Sequence, residues 1–181
     1  MASNKIIYIS GGCRSGKSDY AQTLAESLPG KRAYIATCPR IDAEMDLRIT
    51  NHQQQRVDRG WETLEVPIYL AEAITQAHEF DVILIDCLTL WINNILYGAE
   101  KSGAKITEQI ISYRCTELIN SCRKNGQTII FVSNELGMGL VPADAVSRHY
   151  RDCLGRCNQA IAKQADEAIF MVSGIPIFLK Q

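Results

Sequence analysis

Along this chain, apolar residues gather in short dense runs separated by longer stretches at helical spacing. Ile6, Ile7, Tyr8 and Ile9 are too few for a helix and rich in β-branched side chains, which predicts a buried strand ending at Ser10. After Lys17, the residues Tyr20, Ala21, Leu24, Ala25 and Leu28 recur at helical intervals until Pro29 and Gly30 stop the pattern. Further strands are expected over 33–36 and over 61–66, the latter closed by Pro67, and a helix over 68–78. Val82, Ile83, Leu84 and Ile85 then read as a fully buried strand with Asp86 at its carboxyl end.

In the polar stretch 42–59, Met45, Ile49, His52 and Arg56 step by four, three and four, which places them on one helix face. A helix is expected from near Leu88, with Asp86 a candidate N-cap. Another over 107–124 carries Ile111, Cys115, Leu118 and Cys122 on one face and ends at Asn125-Gly126, a left-handed cap signal. A strand over 128–132, a glycine-rich loop over 133–142 and a polar helix over 143–165 follow. The chain closes with strands over 169–172 and 176–179, joined by a Ser173-Gly174 hairpin turn. Strands alternating with helices predict a P-loop NTPase-like α/β fold. Its sheet is mainly parallel, with helices on both faces and an antiparallel C-terminal hairpin at the edge. No repeat, low-complexity tract or linker interrupts the pattern, so residues 1–181 are expected to form a single domain.

Composition narrows the function classes. With 19 basic and 20 acidic residues the net charge is -1, so no overall field draws the protein to nucleic acid or an anionic membrane. A bound anion must be held locally. No run approaches the roughly eighteen apolar residues of a membrane span, and the N-terminus lacks the pattern of a signal peptide, so a soluble cytoplasmic protein is expected. Seven cysteines at irregular spacing fit reduced thiols. Cys153 and Cys157 share a helix face, but with no matching ligand pair they read as small buried side chains rather than a metal site.

The chemistry begins at Gly11, Gly12, Cys13, Arg14, Ser15, Gly16, Lys17 and Ser18, which satisfy GxxxxGK(S/T) between a predicted strand and a predicted helix. Glycines let successive backbone N–H groups close around phosphate oxygens at a helix N-terminus. Lys17 would reach the β- and γ-phosphates, and Ser18 would ligate Mg²⁺. Asp86 stands where P-loop proteins place the carboxylate that orients that metal. Arg14 either touches phosphate or points to solvent. His52 is a candidate nucleophile: neutral imidazole is abundant near pH 7 and can attack phosphorus, although a surface histidine on a solvated helix would look the same. The loop over 134–142 is a candidate cover for the site, because Gly137 and Gly139 permit movement; an ordinary glycine-rich connector fits as well.

Taken together, GGCRSGKS, YIATC at 34–38, DAEMDLRITNH at 42–52, WETLE at 61–65, LIDCLTLWINNIL from Leu84, and SNELGMGLVP at 133–142 resemble one family. It is that of the bifunctional adenosylcobinamide kinase/adenosylcobinamide-phosphate guanylyltransferases, and the terminal HYRDCLGRCNQAIAKQADEAIFMVSGIPIFLK is similar too. The resemblance implies phosphorylation of adenosylcobinamide by GTP or ATP, then transfer of GMP from GTP through a guanylylated histidine, in cobalamin biosynthesis. It implies that His52 is that histidine and that Lys17 is catalytic. It also implies nucleotide contacts at residues 11–18, at Ala36, Thr37 and Cys38, at Gln53, Gln54, Gln55 and Arg56, and at Glu65 and Asp86. A corrinoid partner, no nucleic-acid or membrane partner, and a homotrimer are implied as well. Cys13 stands where alanine is common, Asp86 where some relatives carry glutamate, and Gln53 to Gln55 replace a more charged stretch. A single-function small-molecule kinase remains the alternative. A GTP-dependent switch is disfavoured because NKxD and DxxG motifs are missing, and a nonenzymatic corrinoid carrier leaves the phosphate loop unexplained.

Overall fold

The computed structural model describes residues 4–39, 56 and 59–181. A seven-stranded sheet forms their centre: β1 (Lys5–Gly11), β2 (Arg32–Ala36), β3 (Trp61–Glu65), β4 (Val82–Asp86), β5 (Thr128–Asn134), β6 (Glu167–Val172) and β7 (Ile175–Lys180). Its order is β3-β2-β4-β5-β1-β6-β7, with every pairing parallel except β6 with β7. The mainly parallel sheet with an antiparallel terminal hairpin is therefore observed. Five helices are described: α1 (Lys17–Ser27), α2 (Leu70–Gln76), α3 (Leu88–Ser102), α4 (Glu108–Cys122) and α5 (Ala145–Gln164).

Both faces of the sheet are buried, and alternate strand residues serve alternate cores. Ile6, Tyr8, Ile35, Ile83, Ile85, Ile129 and Phe131 point into the larger core with residues of α2, α3, α4 and α5. Ile7, Ile9, Tyr34, Leu84, Ile130 and Val132 point into the other, with Ala21 and Ala25 of α1. Cys115, Cys122, Cys153 and Cys157 are fully buried free thiols in the larger core, the packing role expected of them.

Two helix ends differ from expectation. The N-cap of α3 is Cys87, which makes no side-chain cap bond, so Asp86 stays in the strand with its carboxylate free of capping. At the end of α4 the cap is Arg123 in a right-handed conformation; the left-handed residue, Gly126 at φ 72°, comes three positions later. Asn125 instead donates to the carbonyls of Ile74 and Thr75, tying the turn to α2. The starts of α4 and α5 are capped by Thr107 and Asp144, which accept from the N–H groups of Ile110 and Ser147.

Asp166, between α5 and β6, locks the amino edge of the sheet. Its carboxylate accepts from Ile6 N at 2.7 Å and from both terminal nitrogens of Arg123 at 2.8 and 3.1 Å. Burial alone would raise its pKa, but the Arg123 bond and the Ile6 N–H hold it below the usual carboxylate value. A lowered folded-state pKa contributes stability that is present above the unfolded value of about 3.9 and is lost as pH falls through the folded one. Asp166→Asn should therefore be less stable than wild type at pH 7, with the gap closing toward pH 3 in urea titrations; a gap independent of pH would contradict this origin.

Candidate active site

The carboxyl ends of β1, β2, β4 and β5 bring the expected phosphate site together. Gly11 ends β1, and α1 begins at Lys17 behind Gly16, so the intervening turn delivers the chain onto a helix N-terminus that no side chain caps. Two residues of the turn are left-handed, Arg14 at φ 55° and Gly16 at φ 87°. The loop is held internally by Ser15 N to Gly12 O at 3.3 Å, and Lys17 Nζ folds back to donate to Gly12 O at 3.1 Å. A Cβ on Gly11 would stand 2.6 Å from both Met171 O and Ser15 Oγ, so only glycine fits there.

The C-terminal hairpin braces this loop from outside. Its turn residues Ser173 and Gly174 have φ 51° and 81°, and Gly174 N donates to Ser15 O at 2.9 Å. A Cβ on Gly16 would lie 3.2 Å from Gly174 Cα. The Ser-Gly dipeptide was legible as a turn, but nothing in its sequence signalled that it would grip the phosphate loop.

Asp86 ends β4 in register with Ala36 of β2, which is in turn in register with Glu65 of β3, so three of the expected contact residues share one rung. Tyr34 lies beside Asp86: burial, then that carboxylate, raise the phenol's pKa well above the ordinary value. Over the Tyr34 ring lies the guanidinium of Arg56, its central carbon 3.5 Å from the ring centroid. Arg56 is 4% exposed. Tyr34 is thus a neighbour of Asp86 and Arg56 that sequence reading missed, since a tyrosine within a short apolar strand looks like core.

Thr37, one of the expected nucleotide contacts, is also a structural clamp. Its hydroxyl donates to Cys87 O and accepts from Cys87 N, both at 2.8 Å, and its carbonyl accepts from Asn94. These bonds staple the end of β2 to the start of α3. Burial and then Asp86 push the Cys87 thiol up to about 12. Cys13 and Arg14 are exposed on the rim, and Cys38 is half-buried beyond β2. His52, Gln53, Gln54 and Gln55 lie outside the described residues.

Among the described residues, four buried side-chain polar atoms lack a hydrogen-bond partner: Ser15 Oγ, Arg56 Nε, Asn134 Oδ1 and Gln127 Oε1. The first three belong to this region. Ser15 is in the phosphate loop, Arg56 covers Tyr34, and Asn134 ends β5 opposite Gly11. Asn134 is fixed by its backbone, since its N–H donates to Thr89 Oγ1 at 2.8 Å and its carbonyl accepts from Asn158 at 3.0 Å. Unmet buried polar atoms are costly unless a ligand or water completes them. A groove of 810 Å³ between α2 and α4, lined by Tyr69, Glu72, Tyr113 and Arg114, contains none of the expected site residues.

Residues 7–179 match the family described as cobinamide kinase/cobinamide phosphate guanyltransferase. The chain belongs to this family. It is 37% identical over 182 residues to the bifunctional adenosylcobalamin biosynthesis protein CobU of Escherichia coli, covering 97% of this chain and 99% of that one. It is 38% identical over 173 residues to the bifunctional adenosylcobalamin biosynthesis protein CobP of Pseudomonas aeruginosa, covering 95% of each. Among solved structures, the flagellar accessory protein FlaH of Methanocaldococcus jannaschii superposes with a TM-score of 0.54 over 99% of this chain and 80% of that one; at 14% identity it speaks to the fold alone. Members of the cobinamide kinase/guanyltransferase family handle a nucleotide, and the braced loop with its orphaned neighbours is where this member's geometry can receive one.

The proximity of Tyr34 to Asp86 supplies a test. Tyr34→Phe removes the hydroxyl beside that carboxylate and is expected to lower kcat/KM of the kinase step by about tenfold, roughly 1.4 kcal/mol. Its thermal midpoint should move little. Unchanged steady-state kinetics would remove Tyr34 from the site.

Proposed function

We propose that residues 1–181 act as one P-loop domain, a soluble cytoplasmic homotrimer, with the nucleotide held on Gly11, Gly12, Cys13, Arg14, Ser15, Gly16, Lys17 and Ser18. The domain phosphorylates adenosylcobinamide with GTP or ATP, then transfers GMP from GTP to the phosphorylated corrinoid. The cluster of unpartnered buried atoms at Ser15, Asn134 and Arg56 beside the phosphate loop carries this reading, since each asks for a ligand at that edge of the sheet. Family membership supplies the substrates.

In the kinase step, the loop N–H groups and the Lys17 ammonium stabilise charge on the γ-phosphoryl group while the substrate hydroxyl attacks in line. The hydroxyl of Ser18 and the carboxylate of Asp86 are hard oxygen donors suited to Mg²⁺, whose charge would offset that of the β- and γ-phosphate oxygens. Tyr34 lies beside Asp86 at the same corner, with the Arg56 guanidinium stacked over its ring. Ala36, Thr37, Cys38 and Glu65 line the neighbouring strand ends, where backbone groups can meet the rest of the nucleotide.

In the second step, a ring nitrogen of His52 attacks the α-phosphorus of GTP. A phosphorus–nitrogen bond forms, the bond to the bridging oxygen breaks, and pyrophosphate leaves with the electron pair. A phosphate oxygen of the phosphorylated corrinoid then displaces the imidazole, giving the GDP-linked corrinoid and regenerating His52. Two displacements spare the site from bringing two polyanions together at once. Gln53, Gln54 and Gln55, adjacent to His52, are assigned to the guanosine.

Incubation of wild type and His52→Ala with Mg²⁺ and GTP labelled at the α-phosphorus tests the second step. Wild type is expected to retain an acid-labile label after denaturation, and the variant none. Equal labelling of both would move the nucleophile elsewhere, and no label on active wild type would leave a simple kinase.

A further inference from the structure

The acceptor of the kinase step brings an O–H group to the phosphate loop, and nothing above receives it. We propose that the side-chain carbonyl of Asn134, at the end of β5, accepts a hydrogen bond from that attacking hydroxyl and so sets its line of approach to the γ-phosphorus. This inference rests on the reading under Proposed function, and it gives the kinase step a group that GMP transfer does not use.

Strand alternation fixes the side on which Asn134 stands. On β1, β4 and β5, Ile9, Leu84 and Val132 point into the core on the α1 side. The next residues in alternation, Gly11, Asp86 and Asn134, therefore face the same side at the carboxyl edge of the sheet. β5 runs between the other two strands. Asn134 is in register with Gly11, whereas Asp86 is in register with Val132. The α-carbons of Asp86 and Asn134 are thus about 8 Å apart, one pleat repeat along the sheet and one strand across it. Asn134 stands between the carboxylate suited to the metal and the first residue of the phosphate loop.

The backbone beneath this amide is clamped. Asn134 N–H donates to Thr89 Oγ1 at 2.8 Å, and its carbonyl accepts from Asn158 Nδ2 at 3.0 Å. Asn158 Oδ1 in turn accepts from Ser133 Oγ at 2.7 Å, and both of these residues are buried. None of these bonds uses the Asn134 side chain. Its Oδ1 is shielded from water without a hydrogen-bond partner, although the residue as a whole is only half-buried and so stands at the rim of the core.

An orphaned acceptor requires a donor, and that requirement selects the ligand. Phosphate oxygens are acceptors, so a nucleotide phosphate against Oδ1 would leave it unpaired. The acceptor of GMP would do the same, since its attacking atom is an ionised phosphate oxygen. Of the two acceptors, only the alcohol carries a hydrogen to give. An amide oxygen is too weak a base to remove that hydrogen, so Asn134 orients the hydroxyl without deprotonating it. The hydroxyl oxygen bonds to the γ-phosphorus, the bond to the bridging oxygen breaks, and the nucleoside diphosphate leaves with the electron pair. The proton passes to an oxygen of the transferred phosphoryl group. The phosphorylated product no longer offers Asn134 a hydrogen at that oxygen, which favours its release from the kinase position.

Full-length wild type, Asn134→Ala and Asn134→Asp are compared in cobinamide phosphorylation and, separately, in self-labelling by GTP labelled at the α-phosphorus. Magnesium dependence and thermal midpoint are recorded beside them. Asn134→Ala is expected to lower kcat of phosphorylation about tenfold or more, with self-labelling, magnesium requirement and nucleotide KM within about twofold of wild type. Asn134→Asp is isosteric and keeps an accepting oxygen in place, so its kcat should stay within about fivefold of wild type, at a nucleotide KM raised by its charge. A larger loss of kcat in Asn134→Asp would overturn the inference, whether or not Asn134→Ala folds, because the working group would then be the amide nitrogen donating to phosphate. A parallel loss of self-labelling in Asn134→Ala would overturn it by tying the amide to the loop as a whole. A raised magnesium requirement in the same variant would overturn it by assigning the bond to a metal-bound water. A smaller loss of phosphorylation in folded Asn134→Ala, with wild type active, would overturn this inference alone. Wild type inactive toward cobinamide would sink the function proposed above and this inference with it.

Discussion

A loop that turns several backbone N–H groups toward one point cannot be built from right-handed residues alone, and that constraint organises the structure around Gly11–Ser18. Arg14 and Gly16 adopt left-handed conformations, and Gly11 has no room for a side chain against Met171 and Ser15. Such a turn holds its shape only if its surroundings over-determine it. Buried β1 fixes one end, α1 fixes the other, and the β6–β7 turn presses from outside through Gly174. The edge hairpin thereby acquires a purpose beyond extending the sheet.

The same edge collects groups that the fold positions but leaves chemically incomplete. Thr37 spends its hydroxyl and carbonyl on holding β2, β4 and α3 together. That staple fixes the level of Asp86 relative to the loop, and Tyr34 lies beside its carboxylate. Ser15, Asn134 and Arg56 each keep a buried polar atom without a partner. The satisfied staple and the three unsatisfied atoms thus meet at the same end of the sheet.

Much of this was legible in the residues because the strongest signals are local. β1 and β4 are aliphatic runs that can hardly be anything else, and the phosphate loop announces itself by spacing, so the parallel sheet and the loop's place on it followed directly. Boundaries moved by one or two residues where strand pairing extended the run, as at Asn134, which pairs with Gly11. What stayed hidden was long-range. Tyr34 reads as core until Asp86 is placed beside it, Ser173-Gly174 reads as an ordinary turn until it meets Ser15, and nothing in YIATC signals that Thr37 clamps Cys87. An N-cap role is only the alternative for Asp86, and Asn125-Gly126 reads as a C-cap by residue type; continued strand pairing at one and a tie to α2 at the other prevail.

In the proposed function one phosphate loop serves both chemical steps, with Lys17 acting on whichever nucleotide occupies it. The direct measurement is to assay Lys17→Met for cobinamide phosphorylation and, separately, for GMP transfer to supplied cobinamide phosphate. Both rates are expected to fall by about a hundredfold or more while the folded state survives. Loss of phosphorylation with GMP transfer intact would contradict it and place the second nucleotide elsewhere.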